Sequence, residues 1–263
     1  MAKGANRAAA ASEQLRRKAE QLEALAEHLE NDLWVRPQPG SRQPRFTRDD
    51  IARAALHIAD TEGFDSLSMR RLAAELDAGT MTLYHYVRTK DELLALVNDT
   101  VMGEVLVPSS ELPDNWRDAI TMIAHRTRDA LRRHPWALDI RDDPAPGPNG
   151  VRHFDQSMHV LVSAGLSLGD MFELATAVDE YVFGFCLTER ANLGTGGGID
   201  AGTVAYFERL IATGDYPALS AIAGEHGIVS AFQILRHQLT DPKRFDRNLG
   251  RLLDGFEAQL RGT

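Results

Sequence analysis

The sequence predicts an all-α protein in which a helix-turn-helix head is followed by a C-terminal helical bundle. Three observations carry that prediction. Short segments with legible helix starts follow one another between Thr47 and Leu93. The second and third of these are joined only by Asp77-Ala78-Gly79, a link tight enough to force a steep helix crossing. Beyond Asp114, apolar residues recur at the spacing of one helix face almost to the C-terminus. On this reading the chain divides into residues 1–45, 46–95 and 96–263.

Within residues 1–45, the Ala-rich start up to residue 11 is expected to be disordered. From Ser12 to Asp32, Leu15, Ala19, Leu22, Leu25, Ala26 and Leu29 follow the 3.6-residue spacing and predict a helix with one apolar stripe. The stripe fits packing on its own subunit or on a partner. As a coiled coil it is weak, because Ala occupies several seam positions. Leu33 to Phe46 then holds three prolines, three arginines and no acidic residue, which forbids a continuous helix. Two readings stand side by side here. The segment is a solvated tether, or it is an extended arm that lays Arg36, Arg42 and Arg45 along phosphates or into a minor groove.

In the head, Thr47 and Asp50 form a capping box, with Phe46 and Ile51 as the hydrophobic staple. The helix they open shows Ile51, Ala54, Ala55, Ile58 and Ala59 on one face and stops at Gly63. Ser68 caps a second helix, with Leu67 and Leu72 as its staple pair. In a third, from Thr80, only Leu83 reads as a core anchor, while Thr82, Tyr84, His85 and Tyr86 leave hydroxyls and rings for solvent. A short exposed helix of that make-up, with Lys90 close by, suits a DNA major groove. The plain alternative, a small helical bundle with no partner, fits the short turn but not the polar face. Thr89-Lys90-Asp91-Glu92 is a further capping box and opens a fourth helix toward Val101.

The C-terminal region reads as helical throughout. Trp116, Ile120, Ile123, Ala124 and Leu131 define a helix between Asp114 and about His134. A Pro/Gly-rich loop from Asp142 to Gly150 precedes a helix through Phe154, Met158, Leu161 and Ala164. The longest helix runs from about Leu168 to Asn192, a shorter one lies near Asp200 to Ala212, and Asp241 caps a last one to Arg261. Phe245, Leu249, Leu252, Leu253, Phe256 and Leu260 are assigned inward on that last helix. Gly250 and Gly255 inside it each cost about 1 kcal/mol of helix stability, tolerable where another backbone must come close.

Composition excludes several classes. The single Cys186 cannot form an intrachain disulfide, which points to a reducing, cytoplasmic setting with a buried thiol. No apolar run approaches a membrane span, and no signal peptide opens the chain. The glycine loop at Leu193 to Gly198 lacks the Lys-Ser/Thr of a phosphate cradle. The nine His show no metal-ligand spacing, so no metal and no cofactor is expected. A nucleophile elbow, paired catalytic carboxylates and a dinucleotide fingerprint are missing, which argues against an enzyme. The net charge of −9 conceals a division: residues 34–90 hold nine Lys/Arg against seven Asp/Glu, while residues 91–263 carry −10. Attraction to phosphate is local on the scale of a Debye length, about 8 Å at physiological salt, so an acidic body is compatible with a DNA-binding head.

The run Thr82-Leu83-Tyr84-His85-Tyr86-Val87-Arg88-Thr89-Lys90-Asp91-Glu92-Leu93 resembles the signature of the TetR family of bacterial regulators. Tyr216-Pro217-Ala218-Leu219 and the closing Leu252-Leu253-Asp254-Gly255-Phe256 are similar to the C-terminal domain of the TetR subgroup proper. The resemblance covers most of residues 45 to 260 and is strongest in the first fifty. There are departures. Asp77 stands where the family has Gly, at a position that favours left-handed backbone, which Asp tolerates better than most residues. Ala78 replaces the usual Val, and Met81 replaces a proline or small residue, which bears on base preference.

The resemblance implies a homodimeric, ligand-responsive repressor on a palindromic operator, with the long helix and the last helix forming a four-helix interface. It implies DNA contacts from Thr47, Arg70, Thr80, Thr82, Tyr84, His85 and Lys90 in addition to the arm. A C-terminal ligand-binding and dimerisation domain would hold an unidentified small-molecule effector near Trp136, Met158, Phe172 and Asp179. Two other classes stay open at this point: an architectural DNA-binding protein without an effector, and an enzyme with an unrecognised C-terminal site.

Overall fold

The computed structural model describes residues 18, 32–38, 46–140, 146–193 and 199–262, and every regular element among them is helical. The head holds α1 (Arg48–Glu62), α2 (Met69–Glu75), α3 (Thr80–Tyr84) and α4 (Lys90–Val105). After it come α5 (Trp116–Arg133), α6 (Pro148–Val162), α7 (Leu168–Leu193) and α8 (Ala201–Ala212). The chain closes with α9 (Pro217–His226), α10 (Ile228–Thr240) and α11 (Arg244–Gly262). The all-α fold with a helix-turn-helix head is what the sequence predicts. The expected helix over residues 12–32 and the arm residues Arg42 and Arg45 lie outside the described residues.

Two compact units are present. One is Met1–Gly103 with Asp142–Val151, the other Glu104–Arg141 with Arg152–Thr263. The first therefore runs past the expected boundary at residue 95, for a local reason. The buried Asp99 of α4 accepts the backbone N–H groups of Asn149 (2.9 Å) and Gly150 (3.0 Å), and Asn149 Nδ2 donates to the Asp99 carbonyl (3.0 Å). A carboxylate at a helix N-terminus satisfies orphan donors and opposes the positive end of the helix dipole. The approach is so close that a Cβ on Gly147 would sit 2.4 Å from Asp99 and 2.6 Å from Trp34, so glycine is required there.

The caps of the head form as expected. Thr47 Oγ accepts from Asp50 N, Asp50 accepts from Thr47 N, and the staple residues Phe46 and Ile51 are buried. Ser68 Oγ accepts from Arg71 N, and Gly63 ends α1 at φ 90°. After α2, Ala78 N donates to Ala73 O (2.8 Å) and Asp77 N to Ala74 O (3.3 Å), the two bonds of a Schellman motif. Asp77 sits at φ 47°, the one positive-φ residue other than glycine among those described, in the left-handed region read for it.

In the second unit, α5, α7 and α11 pack around Phe245, a fully buried ring. Tyr181 and Phe185 of α7 lie 5.4 and 5.0 Å from it, His125 of α5 lies 5.2 Å away, and the Arg128 guanidinium stands over its face at 4.5 Å. Tyr181 OH donates to the Phe245 carbonyl at 2.8 Å. Arg117 of α5 reaches α11 through Gly250 O and Glu257 at 3.1 Å each. Phe245, Leu249 and Leu253 form the inward stripe of α11, while Leu252 and Phe256 are only half-buried; the inward assignment of the latter two is thereby corrected. The side chain of Leu260 lies outside the described residues.

The segment from α8 to α10 is different in kind. None of the three helices contains a buried residue. They pack on one another around the Phe207–Phe232 edge contact at 5.0 Å and line an apolar hollow of 260 Å³. Gly227, at φ 75°, separates α9 from α10 with a bend of 94°. No single described helix is long and apolar enough to cross a membrane, though α9 and α10 taken together, bent as they are, meet the length and composition.

Removal of the Phe245 ring is expected to cost about 3–5 kcal/mol, the range for large aromatic truncations in a core. Urea unfolding of the Phe245→Ala protein measures it. A loss below about 1 kcal/mol would show that the three helices do not depend on that ring.

Candidate nucleic-acid interface and effector site

The reading helix α3 is five residues long and has one buried residue, the fully enclosed Leu83. Around that anchor Met81, Thr82, Tyr84 and His85 are exposed and Thr80 is half-exposed. Lys90, at the start of α4, is exposed too, and Arg70 stands exposed at the start of α2. Neither Arg70 nor Lys90 has a hydrogen bond or ion pair among the described residues. Arg71, one position on, is tied down: its Nε donates to Glu62 (2.9 Å) and its Nη2 to Glu75 (2.8 Å). These partners hold the Arg71 guanidinium firmly protonated and raise its pKa further. Arg70, Thr80, Thr82, Tyr84, His85 and Lys90 are thus all exposed or half-exposed polar residues of the head. Thr47 is half-buried, its hydroxyl engaged in the α1 cap.

Two sequence readings are corrected here. Tyr86 is not a solvent-facing ring. It is buried, with its ring 5.1 Å from Phe46, because the chain turns inward after α3 through Tyr86 N→Leu83 O and Val87 N→Leu83 O. Arg36 does not lie on an open arm. Its side chain is 7% exposed and makes a forked pair with Glu92, Nη1–Oε1 at 3.0 Å and Nη2–Oε2 at 2.8 Å. With both carboxylate oxygens engaged, that guanidinium is not presented to a phosphate. The same pair alters the expected capping box at Thr89. Thr89 Oγ accepts from Glu92 N (3.1 Å), but the Glu92 carboxylate goes to Arg36 and to Arg88 N (2.7 Å). Those donors hold the Glu92 carboxyl below its usual range against the opposing effect of its own burial.

Met81 is the residue that sequence reasoning undervalued. At 73% it is the most exposed large apolar side chain described, and it stands among the polar residues of α3.

In the second unit, Phe172 is exposed and stacks on the equally exposed Phe154, centroids 6.1 Å apart and planes 20° from parallel. Met158 lies one turn after Phe154 on α6 and is half-buried. Asp179 combines a high accessible area with a carboxyl pushed up to about 6 by loss of bulk water. Neighbouring protein atoms displace water around the carboxyl and raise it even though the residue is accessible at the surface. Trp136 is buried in the short turn Pro135–Asp139, its ring 6.0 Å from His134. His153 of α6, buried and shifted toward the neutral form by desolvation, has an Nδ1 with no partner among the described atoms. Local sequence does not separate His153 from the other histidines. The structure does, pairing His134 with Glu104 at 3.2 Å and His125 with Asp246 at 2.9 Å. Among the described residues no group of His, Cys, Asp and Glu is arranged to hold a metal ion.

Comparison with known proteins agrees with this arrangement in both units. Residues 51–97 match the family described as "Bacterial regulatory proteins, tetR family", and residues 108–260 match "Tetracyclin repressor-like, C-terminal domain". The chain is 33% identical over 242 residues to the HTH-type transcriptional repressor DrrR1 of Streptomyces coeruleorubidus, covering 88% of this chain and 85% of that one. It is 38% identical over 192 residues to an HTH-type transcriptional regulator of Saccharopolyspora erythraea, covering 72% and 80%. Among solved structures it is similar to the Streptomyces coelicolor TetR family protein ActR. The complex of ActR with (S)-DNPA superposes with a TM-score of 0.63 at 31% identity over 82% of this chain and all of that one. ActR in complex with actinorhodin gives 0.60 at 28%, covering 82% and 98%. With a helix-turn-helix reader at one end and a tetracycline-repressor-like helical domain at the other, the chain belongs to the TetR family of DNA-binding transcriptional regulators and is not an enzyme.

Proposed function

We propose that the protein is a homodimeric repressor that reads a palindromic operator and is released from it by a small molecule. The observation that carries the reading is α3 itself: one fully buried leucine holds a five-residue helix whose other side chains face outward. In this reading Thr80, Thr82 and His85 face base edges, Met81 meets a thymine methyl, and Tyr84 and Lys90 fix the head on phosphates. Arg70 reaches a phosphate or a guanine, and Thr47 offers the capped start of α1 to the backbone. Arg42 and Arg45 are proposed as further phosphate contacts of the extension.

Dimerisation is assigned to α7 and α11. Phe183 and Leu187 of α7 are exposed, and Leu252 and Phe256 of α11 are half-buried, on two helices already joined through Phe245. A Cβ added at Gly250 or Gly255 meets nothing within 4 Å in the single chain, so these glycines leave room that a second backbone can use. Two heads on one duplex must stand one helical turn apart, roughly 34 to 36 Å.

The effector is proposed to bind in the second unit beside Phe154, Met158, Phe172 and Asp179, with Trp136 and His153 in the surrounding wall. The exposed stacked pair of rings suits an apolar, ring-bearing molecule. ActR, to which the chain is similar, has a structure in complex with actinorhodin, which supports a small-molecule effector. Two helices, α4 and α6, begin in the first unit and end in the second, so a ligand that prefers one setting of α6 biases the head through them. The size of the response is limited by the ligand's differential affinity for the two settings.

Selection of bound DNA from a random pool with the purified protein tests the reading. Enrichment of a palindrome is expected, and enrichment of nothing would overturn it. On the selected operator, Lys90→Ala is expected to weaken all sequences alike and to flatten the salt slope by about 0.9 for each phosphate no longer neutralised. Phe256→Glu is expected to shift the protein to monomer in sedimentation and to abolish tight operator binding while leaving the Phe245 core in place. A dimeric Phe256→Glu protein with full affinity would move the interface elsewhere. Asp179 supplies a pH test. Its folded carboxyl titrates at about 6, above its ordinary 3.8, so the folded state binds the proton more tightly. The cost is absent below about pH 4, grows as pH rises toward 6, and is fully present above it. Asp179→Asn is therefore expected to raise Tm at pH 7.5 and to change it little at pH 4. An equal shift at both pH values would show that the carboxyl is not desolvated.

A further inference from the structure

The extension does something other than what its charge suggests. Asp32 organises it into a turn: its Oδ1 accepts Trp34 N (2.7 Å), and its carbonyl accepts Arg36 N (2.9 Å). From that turn Arg36 spans two elements of the head. Its guanidinium grips Glu92 at the start of α4, and Nη2 also donates to the carbonyl of Tyr86, just past the end of α3, at 3.1 Å. Arg48 completes the set. Its Nη1 donates to the Arg36 carbonyl (2.9 Å) and its Nε to the same Tyr86 carbonyl (3.3 Å). Gln38 Oε1 accepts Arg48 N at the first turn of α1, and the Trp34 ring lies against Gly147 before α6. Residues 32–38 thus touch the start of α1, the end of α3, the start of α4 and the approach to α6, all in the first unit. They also lie outside both family matches, which begin at residue 51 and residue 108.

The geometry points to Arg36 as a positioning residue for operator reading: it fixes the end of α3 against α1 and α4 and makes no phosphate contact of its own. The inference rests on the proposal that α3 reads DNA. The chemistry favours arginine specifically. A planar fork can bind both oxygens of Glu92 and still present an N–H to Tyr86 O, which an ammonium cannot do with the same angles. The Tyr86 carbonyl lies at the C-terminal end of α3, where cations are favoured. Two guanidiniums meet there beside one carboxylate, and burial together with Arg36 lowers the pKa of Arg48. Arg36 and Glu92 therefore act as a unit, and Arg48, whose side chain bonds the carbonyls of Arg36 and Tyr86, does not replace it.

A positioning role and a phosphate contact have different signatures. Base reading depends on the angle of α3, whereas non-specific binding depends on phosphate charge alone. Full-length Arg36→Ala is expected to lose specific operator affinity by about fivefold or more, the discrimination of one base contact. Its affinity for random duplex and its salt slope should stay those of the wild type. Arg36→Lys, which keeps the charge and loses the fork, should resemble Arg36→Ala, and the exchange Arg36→Glu with Glu92→Arg should recover part of the loss. Glu92→Gln reports on the same pair if Arg36→Ala does not fold, and it should also lose specific affinity selectively. Wild-type operator affinity in both Arg36→Ala and Glu92→Gln overturns the inference. So does a parallel loss on operator and random DNA that Arg36→Lys restores, with a slope flattened by about 0.9 per subunit, because that is the signature of a phosphate contact. A wild-type protein that binds neither DNA defeats the DNA-reading proposal itself and is told apart by the first lane of the experiment.

Discussion

One carbonyl oxygen governs the shape of the head. Tyr86 O closes the short reading helix and receives two guanidinium groups, one from the extension and one from α1. A five-residue helix cannot hold itself in water, since nucleation fixes several dihedrals for each bond gained. α3 is held instead by what surrounds it. The Schellman turn at Asp77 sets its entry, the buried Leu83 sets its depth, and the bonds to Tyr86 O set its exit. All three act on backbone or on apolar contacts, which leaves Thr80, Met81, Thr82, Tyr84 and His85 with no part in maintaining the fold. Those side chains can therefore be exchanged without loss of the bonds that hold α3 in place.

Much of this frame was legible in the sequence because it is written in local chemistry. Caps at Thr47 and Ser68, the stop at Gly63 and the left-handed Asp77 are properties of a few adjacent residues, and each forms as read. Periodicity likewise placed α5, α7 and α11 within a few residues of their bounds. What the sequence did not disclose depends on partners far along the chain. Arg36 reads as a basic arm residue until Glu92, 56 positions away, is seen to hold it. Tyr86 reads as one more outward ring until Phe46 is found beside it. Nothing local separates Arg70 from Arg71, and only the third dimension hands one to Glu62 and leaves the other to solvent. The division of α11 into a buried stripe and a half-buried one is of the same kind, because Leu252 and Leu253 are equivalent until α5 and α7 take a side.

The two units are built on different principles. In the head, the buried Arg36 and Arg48 are held by Glu92 and by backbone carbonyls, so small displacements break directional bonds. In the second unit, rings and aliphatic side chains pack around Phe245, and the buried His153 keeps an Nδ1 with no partner among the described atoms.

The segment from α8 to α10 gives the molecule a further property. With no buried residue over three helices and a hollow of 260 Å³ between them, its contribution to its own folding is small. Its half-buried apolar residues hold it less firmly than the fully buried ring of Phe245 holds the helices around it, so local opening starts in this segment and its amides exchange with solvent first.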